Sequence, residues 1–231
     1  MQLRDFHRAT VIATADETPS LRALSLRVAP EVASSHRIPG QYLRVRISPN
    51  SPEAYFAITN PPSGDRFELL VKRGSAVADA VIALPVGATL ETSPAAGPGF
   101  PVAESFGKDV LLFATGSGIA PINAALLALA AERDRFGEVH LFFGARTRCD
   151  FAYTAEFDAL ADRGIRIHRV VSRALDERDR YVGYVQERWR AELPRVADPV
   201  AFLAGRPEML EAVTRNLIGA GIPADRIYQN M

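Results

Sequence analysis

The 231-residue chain shows a different hydrophobic pattern in each half. In the first hundred residues, short segments alternate apolar and polar positions, most clearly over residues 21–28 and 42–47. A period of two is typical of a strand with one buried face. Because turn residues separate the segments, this half predicts a small antiparallel β-barrel. Further strands are predicted at 10–13, 67–73 and 89–92, with one helix at 77–84.

From residue 109 onward, apolar runs alternate with helical segments. Parallel strands need a crossover between them, so this alternation predicts an α/β domain built on a parallel sheet. The Pro- and Gly-rich segment 93–108 holds the domain boundary, and we expect a barrel domain over residues 1–97 and an α/β domain over 98–231. The predicted strands are 110–115, 138–144, 165–171, 200–204 and 226–228, and the predicted helices are 122–133, 154–161, 185–192 and 207–219.

Composition narrows the class of protein. Hydrophobic residues make up 48% of the chain, and 27 basic residues balance 27 acidic ones, so no net charge attracts nucleic acid or an anionic membrane. Cys149 is the single cysteine, which excludes an internal disulfide or a Cys-ligated iron–sulfur cluster within this chain. The longest apolar stretch, 119–131, is too short to span a bilayer. We expect a cytoplasmic protein with no membrane span and no nucleic-acid partner.

The clearest chemical signal lies where strand 110–115 runs into a Gly116-Ser117-Gly118 turn and then a helix. This arrangement places a nucleotide phosphate at a helix N-terminus, and glycines let the backbone approach it. Pro121 suits the first helical turn. The complete Gly-x-Gly-x-x-Gly pattern is not reached, since its last position is Pro121. Two interpretations therefore stand: a dinucleotide site and an ordinary strand–helix turn.

Five landmarks in order resemble the ferredoxin–NADP reductase-like family. They are residues 40–45, 116–121, 142–147 with 156–157, 183–186, and 204–209. The resemblance implies FAD on the barrel and NAD(P)H on the α/β domain. It also implies a flavin-dependent oxidoreductase that passes electrons to a small-molecule or protein acceptor. Hydride transfer between two cofactors requires no acid–base pair, and no catalytic residue is assigned.

The flavin motif of this family, Arg-x-Tyr-Ser, departs here. The matching stretch runs from Ala54 through Phe56 to Ala57, so the diphosphate-binding Arg and the Tyr and Ser hydroxyls are missing. Lys72 or Arg73 supplies the missing charge, or both solvate an edge strand. Three hypotheses remain: a flavin reductase, a reductase subunit of a larger complex, and a non-catalytic member that has lost flavin.

At the adenosine end, the resemblance implies that Ser172 and Arg173 bind a 2′-phosphate and that Tyr184 stacks on adenine. The same residues also suit a solvated loop or an NADH site, so coenzyme choice stays open. Gly205 and Met209 would shape the nicotinamide wall, and Tyr228 would cover the flavin or serve as an edge-strand residue. The full set of predicted cofactor-binding residues is Tyr55, Phe56, Ala57, Ile58, Val71, Lys72, Arg73, Gly74, Ser75, Thr115, Gly116, Ser117, Gly118, Ile119, Pro121, Arg146, Ser172, Arg173, Tyr184, Gly205, Met209 and Tyr228.

Overall fold

The computed structural model describes residues 6–192 and 196–230. Its first half is an antiparallel sheet with the strand order β4-β3-β6-β1-β2-β5. The outer strands meet through a bridge between Ile58 and Leu69, which closes the sheet and confirms the predicted barrel. The strands are β1 His7–Thr18, β2 Leu21–Arg27, β3 Tyr42–Arg46, β4 Ala54–Ala57, β5 Arg66–Lys72 and β6 Thr89–Thr92, with helices α1 Pro30–Ala33 and α2 Ala76–Ile82.

The second half is a parallel sheet with the strand order β11-β10-β7-β8-β9, as the strand–helix alternation predicts. Its strands are β7 Val110–Thr115, β8 Val139–Ala145, β9 Ile165–Val171, β10 Val200–Ala204 and β11 Ile227–Gln229. The connecting helices are α3 Ile119–Ala131, α4 Thr154–Ala161, α5 Val185–Glu192 and α6 Pro207–Gly219. After β7 the chain adds β8 and β9 on one side, and it then adds β10 and β11 on the other side. The strand order therefore switches between β7 and β10, and open α/β sheets bind ligands at such a switch point.

Strand β4 and helix α1 are absent from the sequence predictions, and helix α3 begins earlier than predicted. Strand β4 and helix α1 have only four residues each, too few for a hydrophobic period to emerge. Helix α3 begins at Ile119, three residues earlier than predicted, because the Gly116–Gly118 turn is itself a 3₁₀ turn that runs directly into it. Pro121 therefore lies in the first turn of α3, where it costs no helical hydrogen bond.

An apolar layer joins the two halves. Leu21 and Leu70 of the barrel belong to the same buried cluster as Phe143 and Phe202 of the parallel sheet. Polar contacts also cross the junction, among them those from Asn123 Nδ2 to the Thr59 carbonyl (3.2 Å), from the Tyr153 N–H to Glu17 Oε2 (3.1 Å), and from Asn230 Nδ2 to the Gly40 carbonyl (2.5 Å). The barrel and the parallel sheet therefore meet in a packed interface.

Candidate functional site

A cleft of about 830 Å³ opens at the carboxyl ends of the parallel strands. The turns after β7, β8, β9 and β10 line it, and so do residues 183–186 at the start of α5. The barrel contributes Ser20 and Leu21 from the β1–β2 turn and Lys72 from the end of β5. A ligand bound at the switch point of the parallel sheet would thus also face the barrel.

The predicted glycine turn lies in the floor of the cleft, but its glycines have different reasons to be there. Gly116 has φ +55°, and a Cβ added to it would meet no atom within 4 Å, so its backbone is open to a ligand. A Cβ on Gly118 would lie 2.6 Å from the Gly205 Cα. The lack of a side chain at Gly118 therefore lets the β7–α3 and β10–α6 turns pack against each other. This packing, more than close approach to a pyrophosphate, is the reason that position 118 needs a glycine.

Thr115, Gly205 and Met209 form one end wall of the cleft. The Thr115 Oγ1 accepts a hydrogen bond from the Arg206 N–H (3.2 Å), which ties the two turns together. Gly205 has φ +152°, and a Cβ there would come within 2.7 Å of the Met209 Cε. The wall is therefore tightly packed, and Met209 is buried in it.

At the opposite end, the cleft is lined by Arg146, Asp150, Ser172 and Tyr184. Arg146 Nη2 lies 3.4 Å from Asp150 Oδ1, and Tyr184 is 58% exposed. Arg173 does not line the cleft, although its N–H donates to the Arg146 carbonyl (2.8 Å). The predicted clamp of Ser172 with Arg173 is therefore only half present at the cleft, and Arg146 is the cation found beside Ser172.

The predicted flavin residues spread over the barrel surface next to the cleft. Tyr55 is 66% exposed and makes an edge contact with Tyr42, with ring centroids 5.6 Å apart. Phe56 is half-buried against the barrel core, and Ala57 packs on the layer between the two halves. Ile58 and Val71 are fully buried, so only their backbones could contact a cofactor.

Lys72 and Arg73, which are expected to supply positive charge to the flavin site, have different surroundings. Lys72 lines the cleft, whereas Arg73 forms an ion pair with Asp16 at 3.3 Å. At the start of α2, the Ser75 hydroxyl accepts from the Ala78 N–H (3.3 Å) and Asp79 Oδ1 accepts from the Gly74 N–H (3.0 Å). A carboxylate and a hydroxyl of the chain thus already occupy two amides of this turn.

The remaining predicted residues lie in α3, in the turn before it and in β11. Ile119 is fully buried in α3, while Pro121 and Ser117 line the cleft. Tyr228 is not at the cleft. It pairs with Phe202 in register and packs edge-on against that ring, with centroids 5.9 Å apart. Asn230, two residues further along, takes the place at the cleft.

The predicted set left out several residues that line the cleft, among them Ser20, Leu21, Asp150, Arg206, Glu208 and Asn230. The first two lie on a hairpin turn of the barrel, far from the glycine loop in sequence. Arg206 had an available signal, because it stands within the 204–209 landmark at a position where the family motif has Pro.

Comparisons with known proteins agree with this geometry. Residues 112–215 match the family model of the oxidoreductase NAD-binding domain. The fruit protein pKIWI502 of Actinidia deliciosa is 26% identical, over 94% of this chain and 73% of its own length. The ferredoxin–NAD(P)(+) reductase component of the naphthalene 1,2-dioxygenase/salicylate 5-hydroxylase systems of Ralstonia sp is 27% identical, over 96% of this chain and 67% of its own length.

Solved structures extend the likeness to the whole fold. The Amycolatopsis cytochrome P450 reductase GcoB superposes with a TM-score of 0.85 at 25% identity, over 98% of this chain and 69% of that one. A ferredoxin NADP⁺ reductase from Neisseria gonorrhoeae, solved with FAD and NADP, gives 0.83 at 20% identity over 97% of each chain. Residues 112–215 are thus similar to an oxidoreductase NAD-binding domain, and the whole chain has the two-domain fold of these reductases. The predicted resemblance and the predicted fold class are thereby confirmed, and the comparisons support the predicted oxidoreductase class.

Proposed function

We propose that the protein is an FAD-dependent NAD(P)H oxidoreductase that delivers electrons to a separate acceptor. The observation that carries the proposal is the cleft itself, since the glycine turn of the parallel sheet and Lys72 of the barrel line one space. Two cofactors bound on the two halves would meet there. When bound, the flavin accepts a hydride from the dihydronicotinamide and passes electrons onward.

The chain's own residues orient the coenzyme. The backbone amides of Gly116 to Gly118 face a pyrophosphate at the start of α3, where the helix dipole favours negative charge by about 0.3–1 kcal/mol. The Thr115, Gly205 and Met209 wall bounds the nicotinamide, and Ser172 with Tyr184 receives the adenosine. The buried layer between the halves keeps water out beneath the rings.

The barrel surface fits a flavin in part. Exposed Tyr55 offers aromatic surface for an isoalloxazine ring, and Lys72 offers a cation. Phe56 packs against the barrel core, on the opposite face of β4. At the turn before α2, the Gly74 and Ala78 amides are already bonded to Asp79 and Ser75, so a phosphate bound there would have to displace these acceptors. Ala54 cannot supply the family's guanidinium, and loss of such a contact typically removes about 1.5–3 kcal/mol of binding. FAD is therefore held, but weakly for this family.

The acceptor we propose is a protein with its own redox centre. Cys149 is the single cysteine of these 231 residues, so a Cys-ligated cluster cannot be assembled here. The reductase components among the relatives are named for systems in which ferredoxin is a partner. No helix of the described residues is long and apolar enough to cross a membrane, and we propose a cytoplasmic location on composition.

A specific observation favours a second candidate, a family member that binds NAD(P) without flavin. Ala54 and Ala57 stand where the family's Arg-x-Tyr-Ser motif has Arg and Ser, and the Asp79 carboxylate already accepts the Gly74 N–H. A carboxylate at this turn repels a diphosphate. This candidate keeps the coenzyme cleft and gives up redox chemistry.

FAD reconstitution separates the two candidates. The purified protein is incubated with FAD, desalted, and titrated with NADH or NADPH without oxygen while flavin absorbance is followed. A flavoprotein retains or reversibly binds FAD, and its flavin absorbance bleaches on coenzyme addition. Protein that binds NAD(P)H but shows no titratable FAD affinity supports the second candidate and contradicts the reductase.

A further inference from the structure

Arg206 places a positive charge at the cleft. It is exposed, it lines the cleft, and its guanidinium has no ion-pair or hydrogen-bond partner within residues 6–192 and 196–230. Arg146, which also lines the cleft, differs because its guanidinium is paired with Asp150. An unpaired guanidinium presents five donors in a fixed plane that suits phosphate oxygens.

The backbone fixes where this charge stands. Arg206 is the N-cap of α6, with Pro207 as the first helical residue, and its own N–H is bonded to Thr115 Oγ1. The preceding Gly205 lies against Gly118, as the 2.6 Å approach of a Cβ on Gly118 demonstrates. Arg206 is therefore one residue away from the contact between the two turns, and it lies beside the glycine loop.

The position is electrostatically unfavourable for an arginine without a ligand. Helix N-termini carry partial positive charge, and capping residues are normally those whose side chains accept hydrogen bonds. Arg206 makes no side-chain cap, and α3 begins at the same edge of the sheet. Local rules broken without compensation within the chain are typical of functional sites, and here an anion supplies the compensation.

We propose that Arg206 binds the pyrophosphate of the nicotinamide coenzyme and so contributes equally to NADH and NADPH binding. This rests on the proposed function, because it takes the coenzyme cleft as given. The 2′-phosphate is assigned elsewhere, since Arg146 and Ser172 line the adenosine end. Glu208, in the first turn of α6, also lines the cleft and opposes an anion there.

The test measures coenzyme affinity by titration, without turnover. Arg206→Gln should weaken NADH and NADPH by the same factor, about tenfold, which is the loss expected of one charged hydrogen bond. Binding of 2′-AMP, which lacks the pyrophosphate, should not change. Arg206→Lys should recover part of the loss, and Glu208→Gln should tighten both coenzymes. Arg215→Ala, on the same helix but outside this cleft, is the matched control for net charge.

Each outcome of these titrations either supports or overturns the proposal. Loss of NADPH affinity alone would place Arg206 at the 2′-phosphate and overturn the proposal, and unchanged affinity for both coenzymes would do the same. An equal loss of coenzyme affinity in Arg215→Ala and in Arg206→Gln would mean that net charge alone causes the effect, and this result would also overturn the proposal. If the unmodified protein binds neither coenzyme, the proposed function fails together with this inference. Equal losses with intact 2′-AMP binding, lessened by added salt, support it.

Discussion

Ala54 is the residue on which flavin affinity depends most directly. Ala54→Arg restores the guanidinium of the family motif and should tighten FAD binding by about tenfold or more, as one charge-assisted contact adds about 1.5–3 kcal/mol. The measurement is an FAD titration followed by absorbance. Ala54→Gln is the matched control, because it adds length and polarity without charge and should gain little. If both variants bind FAD as the parent does, the match of residues 54–57 to the flavin motif is wrong.

At the scale of elements, the two turns at the ends of β7 and β10 should respond differently to one methyl group. Gly118→Ala places a Cβ against the Gly205 backbone, and overpacking of this kind typically costs about 1–3 kcal/mol of stability. Gly116→Ala meets no neighbour and pays chiefly for its left-handed backbone, about 1–2 kcal/mol. Thermal unfolding with coenzyme titration should show that Gly118→Ala disturbs the fold and that Gly116→Ala lowers NAD(P)H affinity through the obstructed amides. Equal coenzyme affinity in Gly116→Ala and the parent would mean that the loop is only a turn.

At the scale of the whole molecule, buried histidines make the free energy of unfolding depend on pH. Burial lowers the pKa of His36 in the barrel and of His168 in the parallel sheet to about 4, from an ordinary 6.5. Between those values the unfolded chain binds protons that the folded protein does not, so the contribution of these histidines to stability falls as pH drops from about 6.5 to 4 and does not change further below pH 4. His36 alone accounts for about 3 kcal/mol over that window. Unfolding in denaturant at stepped pH should show this fall, and His36→Leu should make the curve shallower. An unchanged curve in His36→Leu would exclude His36 as a source.

The sequence alone determined the elements and the class of ligand. Periods of two and of a helix turn are local properties of the chain, so the barrel strands, the alternating strands and helices, and the Gly116–Gly118 turn follow from short stretches of residues. The same holds for the family resemblance, which the landmarks carry in order along the chain.

Only the tertiary structure decided which side chains meet in the cleft. Strand β10 lies beside β7, and this brings Arg206 to the glycine turn across some ninety residues of sequence, while Arg173 stays outside the lining. The pairing of Tyr228 with Phe202 turns that ring into the layer between the halves and leaves Asn230 at the cleft. Ser20 and Leu21 reach it because the barrel packs on the parallel sheet. Such contacts depend on strand order and domain packing, which no local pattern of residues encodes.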